Sequence, residues 1–205
     1  MKSAPPLAAL AFGASAGGVE ALSSLLPCLR PGCGVSVLVV VHLPRERPSL
    51  LATVFASKCA LPVTEAQDKQ PIAPETIYFA PPDYHMLVDE GPQLALDADE
   101  LVHFSRPSVD VLFESVADAY GPRAAGVMLT GANQDGALGL AAIARRGGPT
   151  FVQDPTSASA SAMPAAALRL APASRILDLP ALSSLLSTLR GGYFVDGEAK
   201  GESAR

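Results

Sequence analysis

The chain has 205 residues, 49% of them hydrophobic and 17% charged, enough for one large buried core and incompatible with wholesale disorder. With 15 Lys+Arg against 20 Asp+Glu the net charge is −5, and no basic cluster is present that could neutralise a nucleic-acid backbone. Trp is absent and aromatics are 5%, which excludes a base-stacking platform.

The N-terminus imitates a signal peptide: Met1-Lys2-Ser3, an apolar run from Pro6 to Phe12, then Ala14-Ser15-Ala16 in A-x-A spacing. The stronger reading is a strand, Leu7–Phe12, that turns into a helix through Gly17-Gly18. Val19–Leu29 has helical spacing, and Pro31-Gly32 breaks it. Val35–Val41 is a β-branched, almost wholly apolar run, the signature of a strand buried on both faces of a parallel sheet. Ser49–Cys59 reads as helix and Val63–Ala66 as a short strand. Ile77–Ala80, Met86–Val88 and Gln93–Leu96 are short apolar runs around an Asp89-Glu90-Gly91 turn, which predicts antiparallel hairpins inserted among the parallel units.

Alternation then resumes. Ser108 caps a helix with Asp110 in its first turn. Ala125–Leu129 is a strand, Ala137–Arg145 a helix stopped by Gly147-Gly148, and Pro149–Gln153 a strand. Pro164 opens a helix to Leu170, Ile176–Leu179 is a last strand, and Leu182–Leu189 a closing helix. Residues 1–190 are expected to form one domain and residues 191–205 a flexible tail. The fold class is α/β: a doubly wound, mostly parallel sheet with an antiparallel hairpin insertion. No apolar run reaches the ~18–20 residues of a membrane span, so no membrane insertion is expected. Cys28, Cys33 and Cys59 form no C-x-x-C pair, which predicts free thiols in a reducing compartment and no zinc site.

Ligands of such folds bind at the carboxyl ends of the strands. Three polar residues fall there: Ser15 in Gly13-Ala14-Ser15-Ala16-Gly17, His42 after Val35–Val41, and Asp135 in the loop after Leu129. Serine, histidine and aspartate at one sheet edge are the inventory of nucleophilic acyl transfer. G-x-S-x-G suits a sharp strand-to-helix turn that lifts the hydroxyl clear of the backbone. The same turn also serves simply to let a helix pack close to a strand. Dinucleotide binding fits less well: Ser15 replaces the middle Gly of G-x-G-x-x-G, and His42 stands near where the ribose-binding acid belongs. An α/β-hydrolase would order its triad Ser, Asp, His, whereas here the order is Ser15, His42, Asp135. His85 and His103 follow no parallel strand and are weaker candidates.

Six segments in order resemble the catalytic domain of the CheB-type chemotaxis receptor methylesterases. They are Gly13–Gly18, Val41-His42-Leu43-Pro44, Tyr78–Met86, Arg106–Asp110, Leu129–Gly136 and Ser161–Pro164. The resemblance implies a Rossmann-like fold and a cytoplasmic protein-glutamate methylesterase that acts on chemoreceptor helices, with glutamine deamidation as a second activity. It implies Ser15 as nucleophile, His42 as base, Asp135 as its orienting partner, and backbone N–H groups at Ala16 and Ala132 for the oxyanion. It implies no metal or organic cofactor, and a monomer. Ala16 stands where the family often has Thr, and Ala132 where Met is common. Many members carry an N-terminal receiver domain, whereas only about ten residues precede the first strand here. The resemblance therefore suggests a chain without phosphorylation-driven activation in cis. Two rivals share the fold: a small-ester serine hydrolase and an inactive receptor-docking module.

Overall fold

The computed structural model describes residues 4–195. Seven parallel strands form the central sheet: β1 (Ala9–Ala14), β2 (Ser36–Val41), β3 (Val63–Glu65), β4 (Ile77–Phe79), β7 (Ala124–Met128), β8 (Thr150–Gln153) and β9 (Arg175–Leu177). Their order is β3-β4-β2-β1-β7-β8-β9. From β1 the chain fills one side of the sheet, then returns to β7 and fills the other. The segment that imitates a signal peptide supplies β1, buried at every position at the centre of the sheet.

The period of two along each strand separates two cores. Leu10, Phe12, Val37, Val39, Ala125 and Val127 face one side, packed with Leu22 and Leu25 of α1 (Gly18–Leu25) and Leu182 and Leu186 of α6 (Leu179–Ser187). Phe55 of α2 (Leu51–Ala56) joins them. Ala9, Ala11, Leu38, Val40 and Met128 face the other side, packed with α3 (Val109–Tyr120), α4 (Ala137–Arg145) and α5 (Ala162–Leu170). Helices on both faces make the sheet doubly wound, as expected from the alternation.

The hairpin region differs from expectation in one element. Ile77–Phe79 is a parallel strand of the main sheet, paired with β2 and β3, and all three of its residues are buried. Its shortness hides the two-faced burial that marks such strands, and its nearness to the turn suggests a hairpin instead. The hairpin is β5 (His85–Asp89) with β6 (Gln93–Asp97), which packs Met86, Val88 and Leu94 into the α3 side of the core. Helix boundaries also shift. Pro27 converts the end of the first helix to a 3₁₀ turn, Leu26–Cys28. The last helix begins at Leu179 because Asp178 caps it, accepting from the Ala181 N–H at 2.8 Å, with Pro180 just inside.

Residues 191–195 open the segment expected to be a tail, yet Tyr193–Phe194 (β11) pairs with Leu189–Arg190 (β10). Gly192 donates to the Cys33 carbonyl and accepts from the Leu7 N–H. The rest of the expected tail, 196–205, lies outside the described residues. Cys28, Cys33 and Cys59 are free. No helix among the described residues is long and apolar enough to cross a membrane.

Candidate active site

The carboxyl edge of the sheet is built by three adjacent strands, β2, β1 and β7. Ala14 pairs with Val41 at the ends of β1 and β2, and the His42 N–H donates to the Ala14 carbonyl at 3.1 Å. Ser15 and His42 therefore leave neighbouring strands side by side. Ser15 also donates its N–H to the Thr130 carbonyl at 2.9 Å, which ties the first turn to the loop after β7.

That turn is tight. Gly17 has φ +77°, and a Cβ there would lie 2.7 Å from the Ser159 Cβ, so only glycine fits. Thr130 clamps the arrangement: its hydroxyl donates to the Ala16 carbonyl at 2.9 Å and accepts from the Ala160 N–H at 2.9 Å. Gly131 threads between Met163 and Ser15, since a Cβ there would lie 1.8 Å from the Met163 sulfur and 3.0 Å from the Ser15 Cβ. The N–H groups of Ser15 and Gly131 are used internally. Among the described residues, those of Ala16 and Ala132 donate to nothing, and both residues are exposed beside the serine.

His42 and Asp135 meet directly, with Nε2 and Oδ2 2.8 Å apart. The imidazole is 13% exposed and the carboxylate fully buried. The carboxylate sits on the first turn of α3. Its Oδ1 accepts from the Ser108 hydroxyl at 2.7 Å and the Asp110 N–H at 3.1 Å, and its Oδ2 also accepts from the Val109 N–H at 2.7 Å. Burial pushes the Asp135 carboxyl up, but the His42, Ser108, Val109 and Asp110 hydrogen bonds outweigh it and hold the group below its ordinary value. Asp135 is thus an ionised acceptor that faces a proton-bearing Nε2 and turns Nδ1 of the imidazole towards the cleft.

Ser105 Oγ lies 3.5 Å from Nδ1 and a further 3.5 Å from the Asn133 amide nitrogen. The Ser15 hydroxyl makes no hydrogen bond with the imidazole among the described residues. A cleft of about 380 Å³ opens over His42, walled by Leu43, Arg45, Phe104, Ser105 and Arg106. Ser15, Ala16 and Ala132 border this edge without forming part of that wall.

Sequence reasoning overlooks Ser105 and sees only half of Ser108 and Asp110. Ser108 does cap α3, accepting from the Val111 N–H, but its hydroxyl also donates to Asp135. Asp110, read as a helix-start acid, is buried and accepts from the Gly139 N–H at 2.8 Å. Its other oxygen, Oδ2, lies 3.4 Å from His103 Nε2 but out of line for a hydrogen bond. Burial first, then Asp135 nearby, pushes the Asp110 carboxyl above its ordinary value. The signal for both roles is the Ser-Val-Asp run at a helix start that packs against a sheet edge. His85 is buried, accepts from the Ser108 N–H at Nδ1 and hydrogen-bonds the Glu100 carbonyl at Nε2, away from the cleft.

A sequence profile of the family described as CheB methylesterase matches residues 10–186. The chain belongs to the CheB methylesterase family. A Leptospira interrogans protein, provisionally named protein-glutamate methylesterase/protein-glutamine glutaminase, is 36% identical to this CheB-family chain over 181 residues. The match covers 88% of the chain and 94% of that relative. Protein-glutamate methylesterase/protein-glutamine glutaminase 2 of Cereibacter sphaeroides is 42% identical over 178 residues, covering 83% of the chain and 48% of the relative. A Bordetella parapertussis protein-glutamate methylesterase/protein-glutamine glutaminase is 38% identical, with 87% and 52% covered. This CheB-family chain spans about half the length of the latter two. The crystal structure of the Thermotoga maritima CheB methylesterase catalytic domain matches with a TM-score of 0.84 and 26% identity, over 90% of the chain and all of that domain.

Proposed function

We propose that the chain is a cytoplasmic serine hydrolase that removes methyl esters from glutamate side chains on chemoreceptor helices and deamidates receptor glutamines. The observation that carries this reading is the His42–Asp135 hydrogen bond beside Ser15 at the sheet edge of a CheB-family chain.

In this reading Asp135 holds the tautomer with hydrogen on Nε2, so Nδ1 is the base. As the Ser15 hydroxyl attacks the ester carbonyl, Nδ1 takes its proton. The carbonyl oxygen becomes an oxyanion and is held by the free N–H groups of Ala16 and Ala132, each such donor being worth about 2.7–4 kcal/mol elsewhere. Collapse breaks the bond to methoxide, which leaves as methanol with the proton from Nδ1. Water then attacks the acyl-enzyme, Nδ1 takes its proton, and Ser15 and a glutamate carboxylate are released. The Ser15–His42 hydrogen bond forms with substrate in place, as catalytic contacts commonly tighten only in the complex. Ser15, His42 and Asp135 come from one chain, so a monomer suffices.

The test is methanol release from a methylated receptor helix bundle. The wild-type chain turns over, and Ser15→Ala loses on the order of 10⁶ in kcat with its fold intact. A Ser15→Ala variant that keeps a tenth of the rate contradicts the nucleophile assignment. Rapid labelling of Ser15 by a fluorophosphonate separates a working hydrolase from an inactive docking module.

A further inference from the structure

The turn at residues 102–105 is closed by reciprocal hydrogen bonds, Ser105 N–H to the Val102 carbonyl at 2.9 Å and Val102 N–H to the Ser105 carbonyl at 3.2 Å. Its two central residues, His103 (φ 48°) and Phe104 (φ 61°), are both left-handed. Two-residue turns of this hand normally take Asn-Gly, because other side chains strain there. The surroundings hold the strain in place. The Arg106 guanidinium bonds Asp83 Oδ1 at 2.7 and 3.1 Å and also the Ala98 and Asp99 carbonyls. His103 stands against the buried Asp110, and Ser105 against His42.

This fixed turn projects Phe104 into solvent, 95% exposed. The ring stands on a ridge between the His42 cleft and a second groove of about 440 Å³. That groove is lined by two small residues, Ala162 and Ala165, and by Arg169. It runs on towards Leu138 and Leu170, 51% and 48% exposed. Among the described residues no carboxylate lies within salt-bridge distance of Arg169.

We propose that Phe104 is a specificity-determining residue, a wedge over which an acidic amphipathic helix of the protein substrate lies. Its ester reaches His42, its apolar stripe fills the adjoining groove, and a neighbouring carboxylate pairs with Arg169. The proposal rests on the methylesterase reading above. Three features select this occupant over a small molecule or a second copy. The groove adjoins the cleft that must receive the ester, with Phe104 lining both. Its small lining residues, Ala162 and Ala165, let a helix approach closely. Its free guanidinium, on a chain of net charge −5, complements the glutamates that flank a glutamate ester.

The experiment measures methanol release from a methylated receptor helix bundle and p-nitrophenyl acetate hydrolysis, for wild type, Phe104→Ala and Arg169→Glu. A buried aromatic anchor lost at an interface costs about tenfold or more in affinity. For both variants, the loss in kcat/KM on the bundle should exceed the loss on the small ester by at least that factor. It should appear in KM, and the Arg169→Glu effect should shrink at high salt. Equal losses on both substrates, or no loss on a bundle that wild type demethylates, overturn the wedge alone. A wild-type chain that hydrolyses the small ester but releases no methanol from the bundle overturns the methylesterase reading, and the wedge with it.

Discussion

The three histidines have three different sets of neighbours, and the neighbours decide what each ring can do. His42 has a buried carboxylate at one nitrogen and an open cleft at the other. His103 faces the buried Asp110 from a strained turn. His85 spends both nitrogens on backbone groups, the Ser108 N–H and the Glu100 carbonyl. It therefore holds the start of α3 to the first strand of the hairpin and to the segment that follows the hairpin. His85→Ala should lower stability by about 1–3 kcal/mol, because it leaves the Ser108 N–H buried without a partner. The folded fraction should still release methanol. His42→Ala also takes a hydrogen bond from the buried Asp135, but its folded fraction should approach the Ser15→Ala defect. Thermal melts and a methanol assay on the same preparations distinguish the two, and a His85 variant as inactive as the His42 variant at full folding contradicts the assignment. The distinction was legible in the sequence because only His42 ends a strand buried on both faces. What His85 and Ser105 do was not, since their partners lie 15 to 63 residues away along the chain.

At the scale of elements, the decisive contact is between the start of α3 and the sheet edge. Val109 sits against two glycines. A Cβ on Gly13 of β1 would lie 2.2 Å from Val109 Cγ1, and one on Gly136 would lie 2.4 Å from the same atom and 2.5 Å from Met128 Cε. The two glycines let the helix end come down far enough for its N–H groups to reach Asp135. Gly136 also has φ +89°. Gly136→Ala combines backbone strain of about 1–2 kcal/mol with overpacking of about 1–3 kcal/mol, and it displaces the neighbouring Asp135. A urea midpoint well below wild type and a loss of turnover in the remaining folded protein are the expected results. An unchanged midpoint would mean that α3 can lift away without consequence. The parallel strands were readable because Val35–Val41, apolar but for Ser36, and Ala125–Leu129 show no alternation of polar and apolar residues. Ile77–Phe79 was not, because three residues carry no period. Asp135-Gly136 reads equally well as an ordinary turn. Only the packing of Val109 shows why glycine follows the aspartate.

Across the whole molecule, Asp135 is a fastener as well as a member of the site. One fully buried carboxylate joins the loop after β7, the end of β2 through His42, and the first turn of α3 through Ser108, Val109 and Asp110. Elements that were three separate entries in the alternation of the sequence are thus bound through a single charge. Its ionised form is the one favoured by folding, since its carboxyl lies below the ordinary value in the native state. The sign follows from linkage. The contribution is fully present above the unfolded value of about 3.9 and is lost as pH falls through the lower, folded value. Asp135→Asn sets an amide nitrogen against N–H and O–H donors and removes the charge, a loss of about 3 kcal/mol or more at neutral pH. For a chain of this size that is roughly 6–12 °C in Tm. The gap between wild type and variant should therefore be wide at pH 7 and narrow steadily below pH ~4 as the wild-type carboxylate itself becomes protonated. Melting curves from pH 7 to pH 3 measure it. A gap that stays constant over that range would show that the shape of the group, and not its charge, holds α3 to the sheet.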